Sequence, residues 1–470
     1  MSVRTTALLF AALLTSFSAA AQLRETGADD FRITNFGPAD DTFAFAARQT
    51  MVYNPQNDEF YVVFLGRRPE APVASDEIEM YGLRLDRLGS PIGDPVLLTS
   101  VDGTGSAGGS PQERRLAYDP IRNGYIVVYN AQDSEFSAAS VDIYGRLIGA
   151  DGQPVGPVFV VDDNVTNDVR PDIAFNSQDG EFLVVWTRIT DGVFNRTTEA
   201  RRFNATDGAP IGDAFRVDSI DGFKLNSTVA YNDVDNEYLV IWANNTESPR
   251  YQILSSDGTP QLTPERAYAT PGFFTARSEI AFNPDLSEYL IVFAHSDPAE
   301  GVVQESYEMF GRRVDAAGNA LGAGKFRISF SAFVDSFTRS GVNVDCQPGG
   351  QCLEAGRPGL IYSSGEGAYF VTWSGNLRVQ NDPDREVYLR VLRAGADPAP
   401  GADQAQISNM GGDNINFIGL LPTVAASTAG VLVTWWGDDN VNGGIDNKFE
   451  LWGQRLLLLL FNDGFEVTSN

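Results

Sequence analysis

The sequence predicts an all-β protein, a single seven-bladed β-propeller of four-stranded antiparallel blades closed by an N-terminal outer strand. Three observations carry this: one segment recurs seven times, each copy reads as a hairpin with an unusually apolar second strand, and two more short strands follow each hairpin.

The recurring segment reads MVYNPQNDEFYVVF from Met51, LAYDPIRNGYIVVY from Leu116, IAFNSQDGEFLVVW from Ile173 and VAYNDVDNEYLVIW from Val229. It continues as IAFNPDLSEYLIVF from Ile280, LIYSSGEGAYFVTW from Leu360 and a degenerate VAASTAGVLVTWW from Val424. Its second residue serves as a marker (Val52, Ala117, Ala174, Ala230, Ala281, Ile361, Ala425), and the markers lie 51 to 80 residues apart. A sevenfold repeat of this period signals a propeller or a related repeat architecture. Within each copy, Asn-Pro, Asp-Pro, Asn-Ser or Asp-Gly supplies the turn between two β-branched and aromatic runs. The second run is apolar at consecutive positions, which requires burial on both faces, as in a blade held between two neighbours.

The third strand of each unit is EMYGLRLD from Glu79, DIYGRLIG from Asp142, EMFGRRVD from Glu308, EVYLRVLR from Glu386 and ELWGQRLL from Glu450. Turns such as DGQPVG then lead to short fourth strands: VLLT from Val96, FVVD from Phe159, FRVD from Phe215, FRIS from Phe326 and AQIS from Ala405, with an irregular copy around Tyr268. FRIT at Phe31–Thr34 is a fourth-strand copy that precedes the first hairpin, so it can complete blade seven and fasten the ring. FEVT at Phe465–Thr468 competes for the same slot; the shortened connection before it favours Phe31–Thr34.

Composition narrows the partners. The chain has 470 residues, 34 Lys and Arg against 62 Asp and Glu, a net charge of −28 and 43% apolar residues. That apolar fraction excludes a disordered polyelectrolyte. The charge makes nucleic acid and anionic membrane poor partners. Residues 1–21 carry Arg4, an apolar run from Ala7 to Leu14 and small residues up to Ala21, the pattern of a signal peptide cleaved after Ala21. No apolar run approaches the roughly 20 residues that a spanning helix needs. The expectation is a secreted monomer, extracellular or periplasmic, with the propeller over residues 22–470. In that oxidising compartment Cys346 and Cys352 are expected to pair and staple one loop.

The combination of YNP-x-x-NEYLVVW, IYG-x-RL and DG-x-P-x-G resembles a repeat of exported bacterial proteins, mostly of unassigned function, and the match covers most of residues 22–470. The terminal FNDGFE resembles a short tail on some secreted bacterial proteins. The pattern is unlike WD40, kelch or sialidase Asp-box repeats. The resemblance implies a fold and a location, and no catalytic residues come with it.

Three groups of residues suggest chemistry. In blade seven, DDNVNGGID places Asp438, Asn440, Asn442 and Asp446 at loop positions one, three, five and nine, with the Gly444 carbonyl at seven. Oxygen ligands at this spacing are those of a calcium loop, and two carboxylates predict weak binding of Ca2+; the alternative is a plain Asn/Gly turn. Arg48, Arg170, Arg277 and Arg357 each stand four residues before a marker, where they could ring one mouth of the channel and hold an anionic ligand. They could equally pair within a blade with Glu79, Glu308 and Glu386, which start third strands. His295, the one histidine, ends a second strand at a position held elsewhere by Gly66, Ala131, Arg188, Asn244, Gly375 and Gly437, and is a candidate ligand contact or general base. With a single histidine and no G-x-S-x-G, a serine triad lacks support and a multi-histidine metal centre is excluded.

The sequence thus favours a non-enzymatic binding propeller that presents its loop face to carbohydrate or to an extracellular protein. The alternative is a polysaccharide-cleaving hydrolase or lyase. Acids unique to one blade and converging on the channel would favour the enzyme.

Overall fold

In the computed structural model the chain is described over residues 22–36, 44–67, 78–99, 111, 113–131, 140–164, 166–191, 195–220, 222, 224–243, 248–267, 275–295, 297, 308–330, 358–375, 386–398, 404–410, 418–438 and 449–459. Blade one is β2 (Phe45–Asn54), β3 (Glu59–Arg67), β4 (Glu79–Asp86) and β5 (Pro91–Leu97); blade two is β6 (Arg114–Asp119), β7 (Gly124–Ala131), β8 (Asp142–Ile148) and β9 (Pro154–Asp162). Blade three holds β10 (Asn167–Asn176), β11 (Glu181–Asp191), β12 (Asn195–Asn204) and β13 (Pro210–Arg216), and blade four β14 (Leu225–Asn232), β15 (Glu237–Ala243), β16 (Arg250–Ser255) and β17 (Glu265–Arg266). Blade five holds β18 (Thr275–Asn283), β19 (Glu288–His295), β20 (Glu308–Asp315) and β21 (Ala320–Arg327), and blade six β22 (Gly359–Ser363), β23 (Ala368–Gly375), β24 (Glu386–Arg393) and β25 (Ala405–Gln406). Blade seven is β26 (Ile418–Ser427), β27 (Gly430–Asp438), β28 (Glu450–Leu459) and, as its outer strand, β1 (Gln22–Arg32). All pairs are antiparallel, and each first strand touches that of the next blade, with β2 meeting β26, so the sheets form the expected seven-bladed ring.

The apolar second strands explain why the ring holds. Side chains alternate across a strand. In β3, Phe60, Val62 and Phe64 therefore pack against blade seven, while Tyr61, Val63 and Leu65 pack against blade two. The same division repeats around the ring and yields seven clusters, one at each junction between blades. Each such side chain contributes roughly 1.5–3 kcal/mol on burial.

The turn motif is equally physical. Asn54, Asp119, Asn176, Asn232 and Asn283 accept two backbone N–H groups of the turn that follows. Asp58, Asn123, Asn236 and Ser287 then take left-handed φ of 54°, 52°, 55° and 49° to re-enter the sheet. The third-strand glycine of IYG is required by packing. A Cβ on Gly145 would stand 2.2 Å from the Phe159 ring, and one on Gly311 would stand 2.5 Å from Phe326, the aromatic residues that open the FVVD and FRIS segments. Blade four departs from the pattern: Pro260 and Pro264 cannot donate to a ladder, and its outer strand shrinks to Glu265–Arg266, short of the copy expected around Tyr268.

Closure comes from the N-terminus, as the FRIT copy predicts, and Phe465–Thr468 lies outside the described residues. Phe31 pairs with Gly453 and Arg32 with Trp452, and the Ile33 N–H reaches the Leu451 carbonyl at 2.7 Å. The strand is longer than FRIT alone, because the apolar extension of β28 to Leu459 offers an edge on which Gln22–Thr26 pair beyond a bulge. Asp30 sits in that bulge at φ 44°, its Oδ2 accepting the Asn409 N–H of blade six at 2.5 Å. Burial pushes the Asp30 pKa up to about 7; the Asn409 N–H opposes this, and Asp29, Glu386 and Glu25 add to it.

Two outcomes follow from this clasp. Deleting residues 22–34 is expected to lower the melting temperature far more than deleting 465–470, measured by calorimetry. Because the Asp30 pKa is raised on folding, its protonated form favours the fold, and stability should fall as pH rises from about 4 through about 7. Asp168, pushed up to about 8, adds a similar slope. Melting curves of Asp30→Asn between these pH values should therefore be flatter than wild type without being flat.

Candidate functional site

The two ends of the ring differ. Among the described residues, first and second strands are joined by tight turns at one end, and second strands end and third strands begin at the other, here called the loop face. On the turn face, side chains link neighbouring blades: Asn54 Nδ2 donates to Asn123 Oδ1 at 2.8 Å, Gln56 Nε2 to the Pro120 carbonyl at 2.5 Å and Gln178 Nε2 to the Asp233 carbonyl at 2.6 Å. That face is occupied with holding blades together.

On the loop face, first strands enter the ring through a bulge. The register breaks between Ala47 and Thr50, Val169 and Asp172, Leu225 and Thr228, Thr275 and Ser278, and Leu420 and Thr423. Arg48, Arg170, Asn226 and Leu421 occupy it with left-handed φ of 56°, 59°, 54° and 51°. Arg170 Nε lies 3.3 Å from Glu113 Oε1 and its Nη1 donates to Asn226 Oδ1 at 2.5 Å. Glu113, Arg170 and Asn226 hold the same place in three successive blades, so this arginine bridges laterally along the rim. Arg277 lies in β18, where only its backbone is described, and Arg357 falls outside the described residues.

The third-strand acids bind within their own blades, to the fourth strand. Thr99 Oγ1 donates to Glu79 at 2.5 Å and Thr34 Oγ1 to Glu450 at 2.6 Å, and Ser329 and Ser408 donate to Glu308 and Glu386. The same hydroxyls accept the Met80, Leu451, Met309 and Val387 N–H groups. Arg32 and Arg327, the second residues of FRIT and FRIS, complete the clip on Glu450 and Glu308. The signal for this was the Ser or Thr that ends these fourth strands.

His295 ends β19 and is 2% exposed, with its ring edge-on to Phe310 at 5.8 Å. Burial lowers its pKa to about 4; Asp297 opposes that and Lys325 adds to it, so the imidazole is neutral at physiological pH. Lys325 and Asp297 pair at 2.6 Å. Asp438 is buried at the end of β27, while Asn440, Asn442, Gly444 and Asp446 lie outside the described residues, as do Cys346 and Cys352. Among the described residues no group of three or more His, Cys, Asp or Glu could hold a metal, and no helix is long and apolar enough to cross a membrane.

The ring axis holds a cavity of about 220 Å3 lined by all seven blades. Two residues before each marker stand Thr50, Arg115, Asp172, Thr228, Glu279, Gly359 and Thr423. Arg115 Nε is 3.0 Å from Asp172 Oδ1 and its Nη2 is 3.8 Å from Glu279 Oε1. The Val229 N–H also donates to Asp172 Oδ2 at 2.9 Å. Burial pushes the Asp172 pKa up, against the pull of Arg115 and of that N–H. This charged column was missed in the sequence; its signal was that only three of seven equivalent positions carry charge.

No family model and no curated protein matches the chain. Among solved structures, the NanB sialidase of Streptococcus pneumoniae resembles it over 91% of this chain and 70% of that one, at 10% identity and a TM-score of 0.47. The β-propeller domain of the Trilobed protease of Pyrococcus furiosus does so over 91% and 98%, at 10% identity and 0.46. A leech intramolecular trans-sialidase matches over 91% and 70%, at 11% identity and 0.43. At such identities the likeness is one of fold.

The axial pairing has a measurable consequence. Asp172→Ala leaves Arg115 without its nearer partner and should destabilise the protein by about 3–5 kcal/mol in denaturant titrations. Glu279→Gln should cost clearly less, because its contact is longer.

Proposed function

We propose that this protein is a secreted, non-enzymatic binding propeller that engages a carbohydrate or an extracellular protein through its loop face. The observation that carries the reading is the asymmetry of the ring: among the described residues the turns at one end are taken up by bonds between blades, while second strands end and third strands begin at the other, with connections of unequal length between them. Surface connections on a rigid scaffold are where binding residues concentrate. The strong negative charge disfavours nucleic acid. The closing strand starts at Gln22, the first residue beyond the expected cleavage site, so removal of residues 1–21 would leave closure intact. The reading includes a Cys346–Cys352 bridge and weak Ca2+ binding by Asp438, Asn440, Asn442, Gly444 and Asp446.

A polysaccharide-cleaving activity is the second reading, favoured by Asp172 and Glu279, carboxylates unique to their blades that line the channel. Against it, Asp172 is engaged by Arg115 and a backbone N–H.

Native gels of the purified protein with neutral and acidic polysaccharides, run with millimolar calcium and with chelator, separate the two. Retarded protein with intact polymer is the expected result, with less retardation in chelator if calcium orders the loop. Shortened polymer, abolished by Asp172→Asn or Glu279→Gln, would replace the binder by the enzyme. No change in either leaves the protein partner as the reading.

A further inference from the structure

The axial cavity is a cup with distinct levels. At the rim, Glu113, Arg170 and Asn226 are tied together. The wall carries Gln49, Arg114, Arg115, Asp172 and Glu279, and the floor is apolar, formed by the residues one before six of the seven markers: Met51, Leu116, Ile173, Val229, Leu360 and Val424. This order is fixed because first strands run from the loop face inward.

Gln49 is held to the blade-seven backbone, its Nε2 donating to the Leu421 and Thr434 carbonyls at 2.8 and 2.9 Å. One feature of the wall points to the class of guest. It is electrically balanced, with Arg114 and Arg115 against Asp172 and Glu279, so a charged guest would leave one charge uncompensated in a buried site. A neutral guest rich in hydroxyls avoids that cost, since each hydroxyl can donate to a carboxylate and accept from a guanidinium group. Its apolar C–H face would rest on the floor. The volume limits its size: about 220 Å3 lies below the roughly 300–1,000 Å3 of drug-sized pockets and corresponds to roughly seven waters.

From this geometry we infer that the axial cup is a subsite for one neutral sugar unit, held by Glu279 and the Arg115–Asp172 pair over the apolar floor. It deepens the binding reading above, and rests on it, by naming the class of group that the loop face delivers to the axis.

The test uses the free monosaccharides D-glucose, D-galactose, D-mannose and N-acetyl-D-glucosamine, with acetate and ethanolamine as charged comparators, by saturation-transfer NMR and calorimetry on the full protein. Two variants are compared with wild type: Glu279→Gln, which preserves shape, and Thr50→Phe, which fills the cup from its wall; a single cooperative melting transition well above the assay temperature confirms that each is folded. The expected result is binding of at least one neutral sugar, weakened by about tenfold or more in both variants, a loss of about 1.4 kcal/mol. The inference is overturned if no sugar binds folded wild type, if acetate or ethanolamine binds in preference, or if both variants bind as well as wild type. Failure of the cup is distinguishable from failure of the loop-face reading. Polymer retardation that survives in both variants, without monosaccharide binding, sinks the cup alone, whereas free sugar in the cup without any polymer or protein partner sinks the loop face and keeps the cup.

Discussion

The packing of second strands between neighbouring blades is the interaction on which the rest of the molecule depends. An antiparallel blade with both faces apolar is not stable in water by itself. Each must be covered twice, and only a closed ring covers all seven. The junction of blades seven and one, where Leu432 meets Phe60, Val62 and Phe64, is therefore as necessary as any other, although it joins the two ends of the chain. Strand β1 secures that junction with a backbone ladder, the Thr34–Glu450 clip and the Phe36 N–H on the same carboxylate. One acidic side chain, Glu450, thus gathers a hydroxyl, a backbone N–H and the Arg32 guanidinium at the seam.

The same constraint divides the surface between structure and function. Tight turns must interlock, because the inner hairpins of adjacent blades come together where the ring narrows; their Asn and Asp side chains serve the turn and the neighbouring blade at once. The connections between second and third strands differ in length and sequence from blade to blade. The rim bulges show how the two regimes meet. A left-handed residue at the start of a first strand re-aims its side chain along the rim, and Arg170 uses this to reach Glu113 and Asn226 in the blades on either side.

Much of this was legible in the sequence for a physical reason: repetition averages away the noise of any single segment. Seven copies of one hairpin, with Asn or Asp at most turns and an unbroken apolar run after it, identified strands and blades and favoured the N-terminal closure. Legibility ended where a side chain chooses among partners. The arginines before the markers and the acids that open third strands were close enough in the repeat to suggest ion pairs, and only the structure shows that Glu79 and Glu308 also accept from Thr99 and Ser329 of the adjacent fourth strand. Nor did residue type reveal that His295 would be buried and neutral beside Phe310.

The sequence by itself determined the number of blades and their strand order, because these follow from local periodicity and turn chemistry repeated seven times, whereas the choice between two closing strands was made by the structure. Only the tertiary structure decided the axial site. Arg115, Asp172 and Glu279 are far apart along the chain and occupy the same place in three different blades. Circular closure alone brings them within reach of one another, and pairwise distance across a ring is a quantity that no single repeat contains.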